Sequence, residues 1–266
     1  MTSPWSTFWI TGASSGIGAA LAYALSEPGT TIVLSGRSRD RLQAVSKECA
    51  HRGATVEVVA FDIANESERS DAVRRVGTLI GIPDVLINNA GVSQRSRAID
   101  TDFSVDQYIL EVNFNSCVHL SKSLLPVMIR ERRGAIFTVS SIAGMVPSQM
   151  RSAYNAAKAA QIAYFRTLSN ELVGTGIHVG IILPGFVRTD VSWNALIGDG
   201  RSQRKHDRNQ SSGIDPRKAA TQIVRGMVGR RRTIWTGVPF GARLFVAISR
   251  FAPSVADAYL RKVRIV

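Results

Sequence analysis

The chain has 266 residues, 45% hydrophobic and 7% aromatic, with two cysteines and a formal net charge of +13. That is enough apolar material for one large α/β core or two small ones, and it excludes disorder of the whole chain. Cys49 and Cys117 have neither metal-ligand spacing nor the density of a disulfide scaffold, so the expectation is a reducing cytoplasm.

In chain order, Trp5 to Ile10 is an apolar run. It is followed by Thr11-Gly12-Ala13-Ser14-Ser15-Gly16-Ile17-Gly18 and an Ala/Leu-rich helical pattern to about Ser26. Strand, glycine turn and helix is the setting of a dinucleotide-binding loop. Gly12 permits the tight turn, while Gly16 and Gly18 allow backbone to approach a pyrophosphate and helix to approach sheet. The phosphates then lie over free N–H groups at the helix start. Thr30 to Ser35 predicts the second strand. The slot after it, where an acidic residue would bind a ribose 2′-hydroxyl, holds Gly36, and Arg37 is next. A guanidinium fork suits a 2′-phosphate, so NADP(H) is favoured over NAD(H). Arg39 is a candidate assistant.

A helix over Asp40–Arg52 leads to a strand over Val56–Phe61 ending at Asp62-Ile63. There the carboxylate either accepts from an adenine amino group or caps the next helix. A helix over 67–80 and a strand over 84–87 follow, ending in Asn88-Asn89-Ala90-Gly91, where amide side chains can stitch strands and flank a cofactor. The predicted helix over 104–125 carries Asn113 among Val112 and Phe114. An interior asparagine there is either a bulge-and-water site or a satisfied core amide. Ala135 to Val139 is an apolar strand ending at Ser140-Ser141. Thirteen residues beyond Ser141 stands Tyr154-x-x-x-Lys158 on a helical pattern. Spacing of four puts phenol and ammonium on one helix face, where a cation favours the phenolate and moves the phenol below its free pKa of about 10.

His178 to Leu183 predicts a sixth strand, closed by Pro184-Gly185-Phe186-Val187-Arg188-Thr189. Residues 190–215 turn polar and charged, read as a short helix over the substrate followed by a mobile basic segment. Asp215-Pro216 starts a helix to about Gly229, and Thr233 to Gly237 is the last strand. Residues 240–266 form a basic amphipathic extension, either at a subunit interface or on lipid. Strands alternating with helices imply a single Rossmann-like, doubly wound parallel sheet of about seven strands. Ligands of such sheets bind at the carboxyl ends of the strands, where nearly all these motifs fall.

The excess charge is concentrated late, at Arg201, Arg204, Lys205, Arg208, Arg217, Lys218, Arg225, Arg230–Arg232, Arg243, Arg250, Arg261, Lys262 and Arg264. With no aromatic interleaving and no DNA-reading motif, nucleic acid is not expected; the charge reads as solvated surface, with peripheral membrane contact next. The N-terminus has no signal-peptide pattern and no stretch reaches the roughly 18 apolar residues of a spanning helix, so a soluble or peripheral protein is expected.

TGASSGIG, NNAG, Asn113, Ser141, Tyr154-x-x-x-Lys158 and Pro184-Gly185 occur in the order found in the classical short-chain dehydrogenases/reductases, which residues 5–190 closely resemble. The resemblance implies that Tyr154 is the general acid in carbonyl reduction and the base in alcohol oxidation. It implies that Lys158 bonds the nicotinamide ribose and lowers the Tyr154 pKa, that Ser141 rather than Ser140 polarises the carbonyl, and that Asn113 sustains a water-linked relay to Lys158. It places Gly12, Ser14, Ser15, Gly16, Ile17, Gly18, Arg37, Asp62, Ile63, Asn89, Ala90, Gly91, Pro184, Gly185, Val187 and Thr189 against the cofactor, with no metal required. It further implies a homodimer or homotetramer formed through the Tyr154 helix and the one before it, which Ala156, Ala157, Ala160, Ile162, Ala163 and Phe165 would suit. Met145, Phe186, Trp193 and Leu196 suggest an apolar ketone: a steroid, fatty acyl or xenobiotic compound. The rival reading is an idle, nucleotide-sensing member that binds a membrane or partner through its basic tail.

Overall fold

The computed structural model describes residues 4–207 and 211–262. Seven strands form one parallel sheet: β1 (Thr7–Thr11), β2 (Thr31–Gly36), β3 (Thr55–Ala60), β4 (Val85–Asn88), β5 (Gly134–Val139), β6 (Ile177–Pro184) and β7 (Thr233–Thr236). Their order is β3-β2-β1-β4-β5-β6-β7, so the chain winds outward in both directions from the β1/β4 boundary. A crevice opens at such a reversal, above the strand carboxyl ends.

Both sheet faces are covered. Phe8, Ile10, Leu34, Ile87 and Phe137 face α1 (Gly16–Leu25), α2 (Arg39–His51) and α7 (Pro216–Val228), contacting Leu21, Leu42 and Ile223. Trp9, Val33, Leu86 and Ile136 face α3 (Glu66–Ile80), α5 (Ser116–Arg130) and α6 (Ser152–Glu171), contacting Val76, Leu120 and Phe165. Burial on both faces is why β4 and β5 are continuous apolar runs rather than alternating ones. Helix starts follow side-chain chemistry. Ser38 and Asn65 cap α2 and α3, and Asp215 caps α7 with Pro216 in its first turn.

Three expectations change. The helix over 104–125 is instead α4 (Phe103–Leu110), a π-turn over Glu111–Asn115, and then α5 to Arg130. Residues 190–207 form turns rather than a short helix, because their backbone groups pair with the loop after β4: Leu196 N–H donates to Ser93, Arg95 N–H to Leu196, and Asp102 N–H to Gly198. The tail is two helices, α8 (Phe240–Phe251) and α9 (Pro253–Lys262), broken at Ala252. Val246 and Ala256 are buried in it, whereas Phe240, Leu244, Ile248, Phe251, Val255 and Tyr259 are exposed. No described helix is long and apolar enough to cross a membrane. Arg208 and Arg264 lie outside the described residues.

Candidate active site

At the end of β1 the chain reverses through Gly12 (φ +62°) and Gly16 (φ +57°), backbone that a side-chain-bearing residue adopts only with strain. A Cβ on Gly12 would lie 2.7 Å from the Ala90 Cα. The Asn89 amide donates to the Thr11 and Gly12 carbonyls at 2.9 and 3.1 Å, and the Thr11 hydroxyl accepts from Asn89 and Ala90 N–H. The NNAG segment thus stitches β4 to β1 and holds the glycine turn open. Gly18 fills the packing role expected of it rather than the cofactor one. It does not line the cleft; a Cβ there would meet the Gly12 carbonyl at 2.2 Å, so it serves the close approach of α1 to the turn.

The cleft above this turn encloses about 840 Å³. Apart from Gly18, every expected cofactor position lines it: Gly12, Ser14, Ser15, Gly16, Ile17, Arg37, Asp62, Ile63, Asn89, Ala90, Gly91, Pro184, Gly185, Val187 and Thr189. Arg37 donates to the Tyr108 hydroxyl at 3.3 Å. Arg41, in the first turn of α2, also lines the cleft, whereas Arg39 does not. Asp62 does not cap α3; its carboxylate accepts from the Ala64 N–H at 3.0 Å, while Asn65 does the capping.

Asn113, Ser141, Tyr154 and Lys158 line the same cleft. The π-turn points the fully buried Asn113 inward: its amide donates to Val92 (3.0 Å) and Ile109 (2.9 Å), while Oδ1 has no hydrogen-bond partner. Both Asn113 Oδ1 and Lys158 Nζ face Gly91, where a Cβ would fall 2.7 Å from the first and 3.5 Å from the second. Lys158 Nζ donates to the Val139 carbonyl at 2.8 Å and lies 5.8 Å from the Tyr154 ring centre. Burial pushes this ammonium down to about 8. Ser140 donates to the Lys158 carbonyl at 2.8 Å, so it ties β5 to α6, and Ser141 is the serine that meets the phenol.

The phenol itself corrects an expectation. Burial raises the Tyr154 pKa above 10, since it disfavours the phenolate. The Ser141 hydrogen bond and the charges of Arg151 and Arg95 pull it back only in part. The two arginines escaped the sequence reading. Arg151 had a signal, standing three residues before Tyr154 on the same side of a helical pattern. Arg95 had none, because a loop brings it in.

On the substrate side, Phe186 and Leu196 line the cleft with Ile142, Val146 and Val191. Trp193 instead stacks on His206 at 5.0 Å, and Met145 packs against the core beneath; neither lines the cleft. Of the α6 residues expected at an interface, Ala157, Ile162 and Phe165 are consumed by packing on the sheet, while Ala156 and Ala163 face outward.

A glycine turn, a cleft at the sheet reversal and Ser141, Tyr154, Lys158 and Asn113 in its lining go with a family match: a model for the short chain dehydrogenases fits residues 6–197. The chain belongs to that family. Relatives include dehydrogenase/reductase SDR family member 7B from Xenopus tropicalis, 35% identical over 94% of this chain and 83% of that one. Human SDR family member 7 is 34% identical over 85% and 68%. Among solved structures, a metagenomic short-chain oxidoreductase in complex with NADP has a TM-score of 0.71 at 27% identity, covering 87% of this chain and 94% of that one. A Sphingobium yanoikuyae short-chain dehydrogenase in complex with NADPH (TM-score 0.80, 24% identity, covering 97% and 96%) and a Burkholderia phymatum one in complex with NAD (TM-score 0.83, 22% identity, covering 96% of each chain) share the fold. The family is one of oxidoreductases, and the cleft fits a dinucleotide. The glycine turn leaves backbone room where any Cβ would intrude, and the orphaned Asn113 oxygen lies in the polar end of the cleft beside Lys158.

Proposed function

We propose that this short-chain dehydrogenase is a cytoplasmic NADP(H)-dependent oxidoreductase interconverting a ketone and a secondary alcohol on a largely apolar substrate. The observation that carries the reading is the convergence of Ser141, Tyr154, Lys158 and Asn113 at one end of a cleft whose other end is Gly36-Arg37 with Arg41. Ser14, Ser15, Gly16 and Ile17 would hold the pyrophosphate over the start of α1; Asp62 and Ile63 would flank the adenine. Arg37 and Arg41 would hold the 2′-phosphate, and Thr189 with Val187 the nicotinamide end. The nicotinamide, when bound, supplies or accepts the hydride.

The residues handle orientation and the proton. Ser141 donates to the carbonyl oxygen and holds it against Tyr154. A phenol kept above 10 is fully protonated at neutral pH, which suits a general acid in the reductive direction. Asn113 Oδ1 and Lys158 Nζ, both facing Gly91, would anchor the water-linked return of that proton. Residues 190–215 would act as the substrate cover. The outward faces of α5 and α6 would form a homodimer or homotetramer, and the exposed apolar residues of α8 and α9, flanked by Arg243, Arg250 and Arg261, would rest on a membrane surface.

The test is titration with NADPH and NADH, then oxidation of the tighter cofactor across bulky ketones. Tight NADPH binding with turnover is expected. Binding without turnover on any carbonyl would instead support the nucleotide sensor, and no binding would end both.

A further inference from the structure

The substrate end of the cleft carries a feature that an apolar ketone does not use. Arg95 comes from the loop after β4 and Arg151 from the position before α6, and both line the cleft with Tyr154. Both are nearly buried, with side chains 4% and 11% exposed. One carboxylate, Asp207 from the segment after β6, sits between them. Arg95 donates to it through Nε at 2.9 Å and also through Nη2; Arg151 reaches it through Nη2 at 3.2 Å.

Arg95 uses four of its five N–H donors, with further bonds to the Ser93 hydroxyl (2.9 Å) and the Gln94 carbonyl (2.5 Å). The Arg151 Nε, by contrast, is buried without a partner. Two guanidiniums against one carboxylate leave a net positive charge in a low-dielectric pocket, where it costs most. Burial and repulsion from Arg95 lower even the Arg151 guanidinium to about 10. Burial opposes ionisation of Asp207, but the hydrogen bond from Arg95 and the charges of both arginines hold it below the usual carboxylate range. Asp190 and Asp199 also line the cleft, but Asp199 is bound to Arg201.

We infer that Arg151, backed by Arg95, is a recognition site for a carboxylate carried by the substrate. The ligand chemistry follows from the occupant: the pair already holds a carboxylate, supplied by the chain itself, and has unused capacity for another. Arg151 is the N-cap of α6, three residues before Tyr154, and its charge bears directly on the Tyr154 phenol. The substrate's acid group therefore lies a few bonds from the carbonyl that Tyr154 serves, with the apolar body along Phe186, Val191 and Leu196. This rests on the oxidoreductase reading above and narrows it from apolar ketones to keto acids and the matching hydroxy acids.

The experiment pairs keto acids of increasing ketone-to-carboxylate spacing with their methyl esters and measures kcat/KM with NADPH. At the best spacing the acid is expected to exceed its ester by on the order of 10- to 100-fold, as for a charged hydrogen-bonded contact. Arg151→Leu is expected to collapse that ratio toward unity, with Arg151→Lys between. Asp207→Asn removes the competing carboxylate and is expected to raise the ratio several-fold. Equal turnover of acid and ester at every spacing overturns the inference while leaving the oxidoreductase intact. So does an Asp207→Asn protein that melts earlier with its ratio unmoved, for then the cluster only clamps the loop. Should no carbonyl be turned over, calorimetric titration with acid and ester makes the same comparison; acid binding lost in Arg151→Leu supports the site, and equal or absent binding overturns it.

Discussion

The two ends of the cleft are built by different means. The nucleotide end is mostly backbone: a glycine turn, strand ends and the start of a helix, stitched by Thr11 and Asn89 over adjacent strands. The substrate end is mostly side chains from distant parts of the chain, with Arg95, Arg151 and Asp207 meeting across separations of 112 and 56 residues. The close-packed glycines of a backbone site, such as Gly12 and Gly18, leave no room for a side chain, so little can vary there. Side-chain sites change residue by residue, so the particular substrate is written there.

The sharpest break between chemistry and binding is Tyr154→Phe. Turnover is expected to fall by roughly 10²- to 10⁴-fold, with NADPH affinity little changed, because the ring remains and only the proton-donating hydroxyl is lost. Comparable losses in both would mean that Tyr154 holds the cofactor rather than serving the carbonyl. Next comes Gly18→Val, which tests the backbone end. With the Gly12 carbonyl 2.2 Å from the new Cβ, a loss of about 3 kcal/mol or more is expected, read by chemical denaturation, although Gly18 does not line the cleft. An unchanged midpoint would show that α1 can retreat from the turn.

Arg37→Asp probes a side-chain determinant at the nucleotide end. The ratio of NADPH to NADH affinity is expected to drop by about 10- to 100-fold, and by less in Arg41→Ala. Equal weakening of both nucleotides would remove the 2′-phosphate argument.

The smallest effect concerns Lys158, whose folded-state pKa of about 8 lies below its ordinary 10.5. The fold prefers the neutral amine. The stability this group contributes is therefore complete above about 10.5 and is lost as pH falls through about 8. Relative to Lys158→Met without nucleotide, wild-type stability should rise by on the order of 1–3 kcal/mol between pH 7 and 10.5. A difference flat across that window would mean that the ammonium is well solvated in its pocket.

Local pattern made the sheet legible from the sequence, since each strand is a short apolar run closed by a glycine, serine, asparagine or aspartate signal. The same runs located the strand ends, and with them Gly12, Asp62, Asn89, Ser141 and Gly185. Helical spacing joined Tyr154 to Lys158, although the direction of the phenol's shift was not readable: it depends on how far burial outweighs neighbouring charge, which is a property of the packed molecule. The π-turn at Asn113 was foreshadowed by an amide among apolar residues, but its geometry was not.

By itself, then, the sequence determined everything that depends on short-range periodicity and turn chemistry: the parallel sheet, the glycine cradle, the reactive group and Arg37 with no acid before it. Only the tertiary structure decided that Gly18 stays out of the cleft lining, that Arg41 rather than Arg39 enters it, that 190–207 pairs with the loop after β4, and that Arg95 and Arg151 share Asp207 beside Tyr154. The physical reason is range. Periodicity and turns are fixed by residues a few positions apart, whereas burial, charge compensation and loop-to-loop pairing depend on groups that only the fold brings together.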